Sequence, residues 1–185
     1  MGPTILRSSG RDGSATLRGK RIRSFAPIAD RRARILILGS MPGVESLARG
    51  RYYAHRHNSF WPIMAALFDI DPGAPYEGRV RALRARRVAV WDVLQSCVRE
   101  GSLDARIDEE VANDFAAFFA AHRAITHVFF NGAKAEACYR RHVEPVVGRP
   151  MRYARLPSTS PAHASLSMAR KLTAWRAILK AEERP

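Results

Sequence analysis

The sequence is poor in cysteine and has no long apolar run. Its two cysteines, Cys97 and Cys138, are too few for a cysteine-ligated iron–sulfur cluster or a four-cysteine zinc site, and a reducing cytosol disfavours a disulfide between them. No segment approaches the roughly 18 consecutive apolar residues of a membrane span, and the N-terminus lacks the apolar stretch of a secretory signal. We therefore expect a cytoplasmic protein with no cofactor, no metal and no membrane partner.

Two common catalytic motifs are also missing. The Gly/Pro turn at residues 39–43 follows an apolar run but lacks the Lys-Ser/Thr pair of a nucleotide-binding P-loop, which argues against ATP or GTP hydrolysis. No G-x-S-x-G elbow occurs, which argues against a serine hydrolase.

Acidic residues are scarce relative to basic ones. The chain has 31 Lys and Arg against 17 Asp and Glu, a formal net charge of +14. Such a charge suits a polyanion, so nucleic acid is the leading partner, although genomes rich in G and C also inflate the arginine content. Residues 1–34 carry a net charge of +7, which is half of the excess.

The length and composition predict one folded domain behind a basic arm. With 185 residues, of which 46% are apolar, the chain has the size of a single compact domain that buries a core. Residues 1–22 are rich in Gly, Ser and Arg and have no sustained apolar period, so we expect a flexible arm there. Residues 23–185 then form the single domain, which we expect to be a monomer.

Short apolar runs alternate with helical patterns along the domain. Short apolar runs predict buried strands at residues 34–39 and 88–91, and further strands are expected at residues 127–131 and 152–156. Apolar residues at helical spacing predict helices around residues 60–68, 76–83, 111–119, 132–138 and 168–179. This alternation predicts an α/β fold, a three-layer α/β/α sandwich with a central four-stranded parallel sheet.

Ligands of open α/β sheets bind outside the carboxyl ends of the strands, so the segments that follow each strand are the candidate site. The turn at residues 39–43 lets backbone amides approach a ligand closely, or is a plain structural turn. Asp92 and Asp104 supply carboxylates that either serve the site or tie loops. Residues 131–134 offer a helix N-terminus next to Asn131 and Lys134, or a simple strand-to-helix turn.

Residues 52–61, which we name the aromatic block, are denser in aromatic, imidazole and amide groups than a connecting loop requires. Its two tyrosines can stack on a base, and two histidines with Arg56 can reach phosphates. A metal at His55 and His57 is the competing interpretation, but no Asp, Glu or Cys lies close by to complete the shell. Asn58 has a simpler alternative role as a helix cap.

Residues 156–165, which we name the hydroxyl loop, join the last predicted strand to the last helix. Small hydroxyls, prolines and a helix N-terminus together suit a phosphate clamp. A stiff loop with an N-cap would use the same residue types. Both interpretations remain open from this segment alone.

In this order the segments resemble the uracil-DNA glycosylase superfamily, and most closely its family 6, the hypoxanthine-DNA (deoxyinosine) glycosylases. The resemblance covers about residues 24–181. The motifs that carry it are Ile37-Leu38-Gly39-Ser40-Met41-Pro42-Gly43, the aromatic block, Trp91-Asp92-Val93-Leu94, Phe129-Phe130-Asn131-Gly132 and Leu156-Pro157-Ser158-Thr159-Ser160-Pro161.

The resemblance implies a DNA glycosylase that excises a deaminated base, hypoxanthine, from double-stranded DNA in base excision repair. The aromatic block contains no lysine that could attack the sugar as a Schiff-base amine, so we expect a monofunctional enzyme. It places the catalytic amide at Asn58 and the aromatic ring that stacks on the extruded base at Tyr53. With the location of the strand ends, it gives as base-binding residues Gly39, Ser40, Met41, Tyr53, Asp92 and Asn131. The expected DNA-binding residues are His55, Arg56, Lys134, Pro157, Ser158, Thr159, Ser160 and His163.

Three positions depart from the superfamily's usual pattern. Met41 stands where other members have Asp or Asn, and Leu156 stands where they have His or Asn, which argues against efficient family 1 uracil excision. His163 stands where the second motif often has Asn. A uracil or ethenocytosine glycosylase and a non-catalytic nucleic-acid-binding module are the alternative functions.

Overall fold

The four predicted strands form one parallel sheet in the computed structural model, which describes residues 20–182. The chain order of the strands is β1 (Arg21–Arg23), β2 (Ile35–Gly39), β3 (Val88–Asp92), β4 (Leu94–Val98), β5 (Asp108–Ala112), β6 (His127–Asn131) and β7 (Arg152–Leu156). The parallel sheet has the order β3-β2-β6-β7. Every residue of β2 and β3 is buried, as their continuous apolar runs predict.

Strand register brings the predicted site residues to one edge of this sheet. Gly39 pairs with Asp92 across β2 and β3, and Asn131 pairs with Leu156 across β6 and β7. Since parallel strands end at the same edge, the segments that follow all four strands meet there.

Helices cover both faces of the sheet, which confirms the predicted α/β/α sandwich. The helices are α1 (Val44–Arg49), α2 (Phe60–Phe68), α3 (Tyr76–Ala85), α4 (Phe115–Ala121), α5 (Ala133–His142), α6 (Met168–Trp175) and α7 (Ala177–Glu182). The chain moves in one direction along the sheet from β2 to β3, and in the opposite direction from β3 to β6 and on to β7. Because such crossovers are right-handed, α4 and α5 lie on the opposite face of the sheet from α2 and α3. Ring contacts agree, since Phe60 of α2 packs on Trp175 of α6 and Phe115 of α4 packs on Tyr139 of α5.

A second, antiparallel sheet of order β1-β4-β5 was not predicted, and it corrects one predicted helix. Val111, expected at the start of a helix, lies in β5 instead. The helix begins only at Phe115, where the Asp114 carboxylate accepts a hydrogen bond from the Ala117 amide at 2.9 Å and caps the first turn.

The predicted boundary of the basic arm at residue 22 falls inside β1. Arg21 pairs with Val98 and Arg23 pairs with Ser96, so the folded part includes this strand. Residues 1–19, the rest of the predicted arm, lie outside the described residues. Within the described part, none of the helices has the length and apolarity that a bilayer crossing requires.

Candidate active site

A cavity of about 500 Å³ opens at the carboxyl edge of the parallel sheet. Thirteen of the predicted site residues line it: Gly39, Ser40, Met41, Tyr53, His55, Asn58, Asp92, Asn131, Lys134, Ser158, Thr159, Ser160 and His163. Arg56 and Pro157 do not line it. Arg56 is exposed next to His55 in the chain, and the Pro157 carbonyl accepts a hydrogen bond from the Trp175 indole at 2.9 Å.

Asp92, the last residue of β3, forms part of the cavity floor. Its side chain is buried, with the residue 2% exposed, and its Oδ2 accepts a hydrogen bond from the Ser24 hydroxyl at 2.6 Å. Burial raises the pKa of Asp92 to about 7, against the opposing effect of the Ser24 hydrogen bond. The neighbouring strand must carry glycine here, because a Cβ on Gly39 would lie 2.5 Å from Asp92 Oδ1.

Tyr53 of the aromatic block is held in a fixed orientation over the floor. Its backbone has a φ of 55°, in the left-handed region that non-glycine residues rarely adopt. Its ring stacks on Phe60 with centroids 3.9 Å apart, so Phe60 supports one face of the ring. The buried Tyr53 hydroxyl makes no hydrogen bond of normal geometry within the described part of the chain, and burial raises the pKa of this phenol.

Asn58 both caps α2 and lines the cavity, so the two alternatives for this residue coincide. Its Oδ1 accepts a hydrogen bond from the Phe60 amide at 3.0 Å. The neighbouring Ser59 makes no capping bond with its side chain, and its backbone amide donates to the Thr159 carbonyl at 3.0 Å. A carboxamide has a second lone pair and two N–H donors, so capping leaves Asn58 with further hydrogen-bonding capacity.

Asn131 fixes the hydroxyl loop rather than presenting a free amide. Its Oδ1 accepts from the Thr159 amide at 2.8 Å, and its Nδ2 donates to the Thr159 hydroxyl at 2.9 Å. Thr159 is fully buried. Next to it, Gly132 has a φ of 100°, and a Cβ there would lie 3.0 Å from the Ser158 Cβ. The hydroxyl loop is therefore seated directly on the end of β6.

Residues 99–104 form a further wall of the cavity, and of these only Asp104 is named in the sequence analysis. The Ser40 hydroxyl donates to Asp104 Oδ1 at 2.7 Å, and burial raises the pKa of Asp104. The buried Arg99 guanidinium donates to the Pro42 carbonyl and, at 2.9 Å, to the Gly101 carbonyl. These bonds tie the wall to the turn at residues 39–43. Nothing in the sequence indicates the role of Arg99, whose partner lies 57 positions away.

Lys134 is engaged in an ion pair and does not present a free ammonium group. Its Nζ lies 2.5 Å from Glu110 Oε1, and His142 Nε2 lies 2.7 Å from Glu110 Oε2. Burial alone raises the pKa of Glu110, but the hydrogen bonds from Lys134 and His142 outweigh it and lower the pKa to about 2. Burial likewise lowers the pKa of Lys134, and the Glu110 hydrogen bond more than reverses this.

The mouth of the cavity is formed by exposed groups. His55 and His57 are exposed, and His55 Nδ1 accepts a hydrogen bond from the His57 amide at 3.1 Å. His163 is half-buried, and its backbone amide donates to the Ser160 carbonyl at 3.0 Å. Across residues 20–182, no cluster of three or more His, Cys, Asp or Glu side chains could hold a metal ion.

Comparison with known proteins gives the family of this fold and site. A model of the uracil DNA glycosylase superfamily matches residues 26–180. The chain belongs to the uracil DNA glycosylase superfamily.

Relatives within the superfamily match the sequence of this chain over most of its length. A hypoxanthine DNA glycosylase of Methanosarcina acetivorans is 34% identical over 161 residues, which cover 85% of this chain and 98% of the relative. A hypoxanthine DNA glycosylase of Methanosarcina barkeri is 35% identical over 112 residues, which cover 60% of this chain and 71% of the relative. The solution NMR structure of a candidate uracil DNA glycosylase from M. acetivorans has a TM-score of 0.75 and 30% identity, and covers 89% of this chain and 100% of that one.

Proposed function

We propose that this superfamily member is a monofunctional DNA glycosylase that excises hypoxanthine from deoxyinosine in double-stranded DNA, as a monomer in the cytoplasm. The observation that carries the proposal is that Asn58, Tyr53 and Asp92 line one cavity at the carboxyl edge of the sheet. Two curated relatives that bear the name hypoxanthine DNA glycosylase support the choice of base.

The substrate must leave the duplex before it can reach these groups. An N-glycosidic bond is inaccessible inside the base stack, so the enzyme extrudes the nucleotide, at a cost of about a few kcal/mol that is smallest for a weakly paired lesion. Hypoxanthine, which arises from adenine, pairs poorly with thymine. A cavity of about 500 Å³ is in the usual size range for enclosing a small ligand, and the Tyr53 ring supported by Phe60 offers a stacking surface for the base.

Asn58 acts at the sugar by orienting groups and stabilising charge. As the glycosidic bond breaks, the sugar gains positive charge and a water attacks its anomeric carbon. A carboxamide is too weak a base to remove a proton, so Asn58 orients the water and stabilises the charge through Oδ1. The hydrogen bond from the Phe60 amide holds that oxygen in place at the start of α2.

Other residues that line the cavity bind the base, and the loops bind the backbone of the DNA. Backbone groups of Gly39, Ser40 and Met41 border the base, with Asp92 beside them. Asn131 serves the base pocket indirectly, because both of its polar atoms hold Thr159. The DNA backbone is bound by Ser158, Ser160 and His163 of the hydroxyl loop, by its Pro157 and Thr159 through their rigid main chain, and by His55 and Arg56 at the mouth.

The pairing of Lys134 supports monofunctional chemistry. A glycosylase that also cleaves the DNA strand needs an unprotonated amine to attack the sugar and form a Schiff base. Among the described residues that line the cavity, Lys134 is the one lysine, and Glu110 keeps it protonated. Free base and an intact abasic site are the expected products.

The test is incubation with duplexes that carry hypoxanthine, xanthine, uracil or ethenocytosine, scored as alkali-labile abasic sites. We expect the hypoxanthine duplex to react fastest. Faster reaction of uracil or ethenocytosine would contradict the base assignment. Binding of all four duplexes without any abasic product would identify a non-catalytic nucleic-acid-binding module.

A further inference from the structure

Asp92 presents one of its two carboxyl oxygens to the cavity. Its Oδ2 is taken by the Ser24 hydroxyl at 2.6 Å, whereas Oδ1 has no hydrogen-bond partner among residues 20–182. Oδ1 lies against the Gly39 backbone, in the space that a side chain at this position would fill. The missing side chain of Gly39 thus leaves room for one carboxyl oxygen at the place where a base would approach the turn.

The groups around this carboxyl favour its neutral form. Tyr52 and Tyr53 face it from the aromatic block, and burial raises the pKa of both phenols, so neither supplies charge at neutral pH. Asp104, from the wall at residues 99–104, adds a like charge that raises the pKa of Asp92. Arg99 from the same wall lowers it; Nη2 and Nε of this guanidinium donate to the Pro42 and Gly101 carbonyls, and Nη1 has no partner among the described residues.

Other ionisable groups at the cavity are already committed or lie at its mouth. The Asp104 carboxylate accepts the Ser40 hydroxyl, and the Lys134 ammonium is paired with Glu110. His55 is exposed. Departure of a purine is easier when a proton neutralises the electron pair that the base takes with it, and the Asn58 carboxamide is too weak an acid to transfer one.

We propose that Asp92 is the general acid of this site and protonates a ring nitrogen of the departing purine through Oδ1. The bond between C1′ and N9 breaks with its electron pair on the base, the carboxyl proton passes to the ring nitrogen, and neutral hypoxanthine leaves. Water then adds its oxygen to C1′, and the proton that it loses returns the Asp92 carboxylate to the acid form. This inference rests on the proposed function, since it needs a purine in the cavity.

The test is the pH dependence of single-turnover excision from a deoxyinosine duplex at saturating enzyme. Asp92 has a pKa of about 7, so the wild-type rate should fall about tenfold per pH unit above that value. Asp92→Asn should be slower by roughly 10²-fold at pH 6 and should lose the alkaline fall. Ser24→Ala should move the fall to higher pH, because the Ser24 hydrogen bond favours the charged carboxylate.

Substrates that lack one ring nitrogen identify where the proton goes. One of the two analogues, 7-deazadeoxyinosine or 3-deazadeoxyinosine, lacks the nitrogen that is protonated. We expect the wild type to excise the base of that analogue as slowly as Asp92→Asn excises hypoxanthine from deoxyinosine. On the same analogue, Asp92→Asn should lower the excision rate no further. An equal loss on deoxyinosine and on both analogues would overturn the proposal, and so would an unchanged alkaline fall in Asp92→Asn. If the wild type releases no hypoxanthine at any pH, the proposed function itself fails.

A melting experiment checks that Asp92→Asn folds and measures the same titration independently. The folded-state pKa lies above the unfolded value of 3.8, so the wild type loses stability as the pH rises from about 4 through about 7, whereas the amide does not titrate. The variant should therefore gain stability relative to the wild type between pH 5 and about pH 8. A constant difference across that range would show that the buried carboxyl does not take up its proton near neutrality.

Discussion

The floor and the mouth of the cavity are built in opposite ways. We define the floor as Tyr53, Asn58, Asp92 and Asn131, and the mouth as His55, Arg56, Ser160 and His163. The floor side chains are packed or hydrogen-bonded within the fold, and two of them are held by distant segments, since Ser24 binds Asp92 and Thr159 binds Asn131. At the mouth, His55 and Arg56 are exposed, and the bonds of Ser160 and His163 stay within their own loop.

This difference separates two tasks. Groups that act on a transition state are most effective when they are held in place and shielded from water, because screening there is weak and no reorganisation is needed. Phosphate contacts carry no sequence information and tolerate exposed, adaptable side chains. Changes at the floor should therefore lower the rate of the chemical step, and changes at the mouth or beyond it should lower DNA affinity.

The largest effect is expected at Asn58. Asn58→Ala and Asn58→Asp should lower single-turnover excision by roughly 10²-fold or more while leaving DNA affinity close to that of the wild type. An aspartate can still accept the Phe60 amide hydrogen bond, so loss of activity in Asn58→Asp separates catalysis from helix capping. Ser59→Ala is the matched control, because the Ser59 side chain makes no capping bond. A wild-type rate in Asn58→Asp would reject the catalytic role.

Asn131 should show a smaller, mixed effect, because it links floor and mouth. Asn131→Ala removes both side-chain bonds to buried Thr159, which should cost about 1–3 kcal/mol in unfolding free energy and loosen the hydroxyl loop. Excision and affinity should each fall by about tenfold, given about 1.4 kcal/mol for each factor of ten. Denaturation measures the unfolding free energy, and fluorescence titration measures the DNA affinity. Exposed Gln95→Ala is the control for both measurements. An unchanged affinity would show that the loop does not need this support.

The basic arm should affect affinity alone. We propose that Arg7, Arg11 and Arg18 contact phosphates, so deletion of residues 1–19 should reduce the slope of log affinity against log salt by about 2 to 3. The deletion stops before Arg21 because β1 belongs to the fold. Lesion preference and the rate at saturation should stay as in the full chain. An unchanged slope would remove the arm from the interface, and a selective loss of lesion binding would place it in the pocket.

The smallest effect on excision is expected from Glu110→Gln. The change leaves the glycosylase groups in place but removes the carboxylate that keeps Lys134 protonated. We expect an excision rate within about threefold of the wild type, and a borohydride-trapped adduct at alkaline pH that the wild type does not form. Glu109→Gln makes the same charge change at a neighbouring exposed site and should form no adduct. Trapping by the wild type during turnover would contradict monofunctional chemistry.

Most of the parallel sheet could be predicted because β2, β3 and β6 each contain a run of consecutive apolar residues, whereas β7 carries Arg152 and Arg155 and is only partly buried. In contrast, β5 is mostly exposed and three of its five residues are acidic, so Val111 fits the helical pattern that follows. The strand becomes recognisable only when it pairs with β4, which a local pattern does not show.

Site residues at strand ends could be predicted, but their partners could not. Asn131 and Thr159 were both expected at the site, yet their mutual hydrogen bonds join positions 28 residues apart. The sequence does not indicate the role of Glu110, because its partner Lys134 lies 24 positions away and Glu110 lies on β5, which has no recognisable strand pattern. Composition and spacing locate the cavity, whereas long-range pairing decides which of its groups are free to act.

The most direct measurement is a structure of the protein bound to a duplex that contains 2′-fluoro-2′-deoxyinosine, whose sugar resists cleavage because fluorine destabilises the developing positive charge. The account predicts the hypoxanthine outside the base stack and inside the cavity, with its ring on Tyr53, a ring nitrogen facing Asp92 Oδ1 and the anomeric carbon beside Asn58. A hypoxanthine that stays stacked in the duplex, or that enters the cavity with its sugar turned away from Asn58, would contradict it.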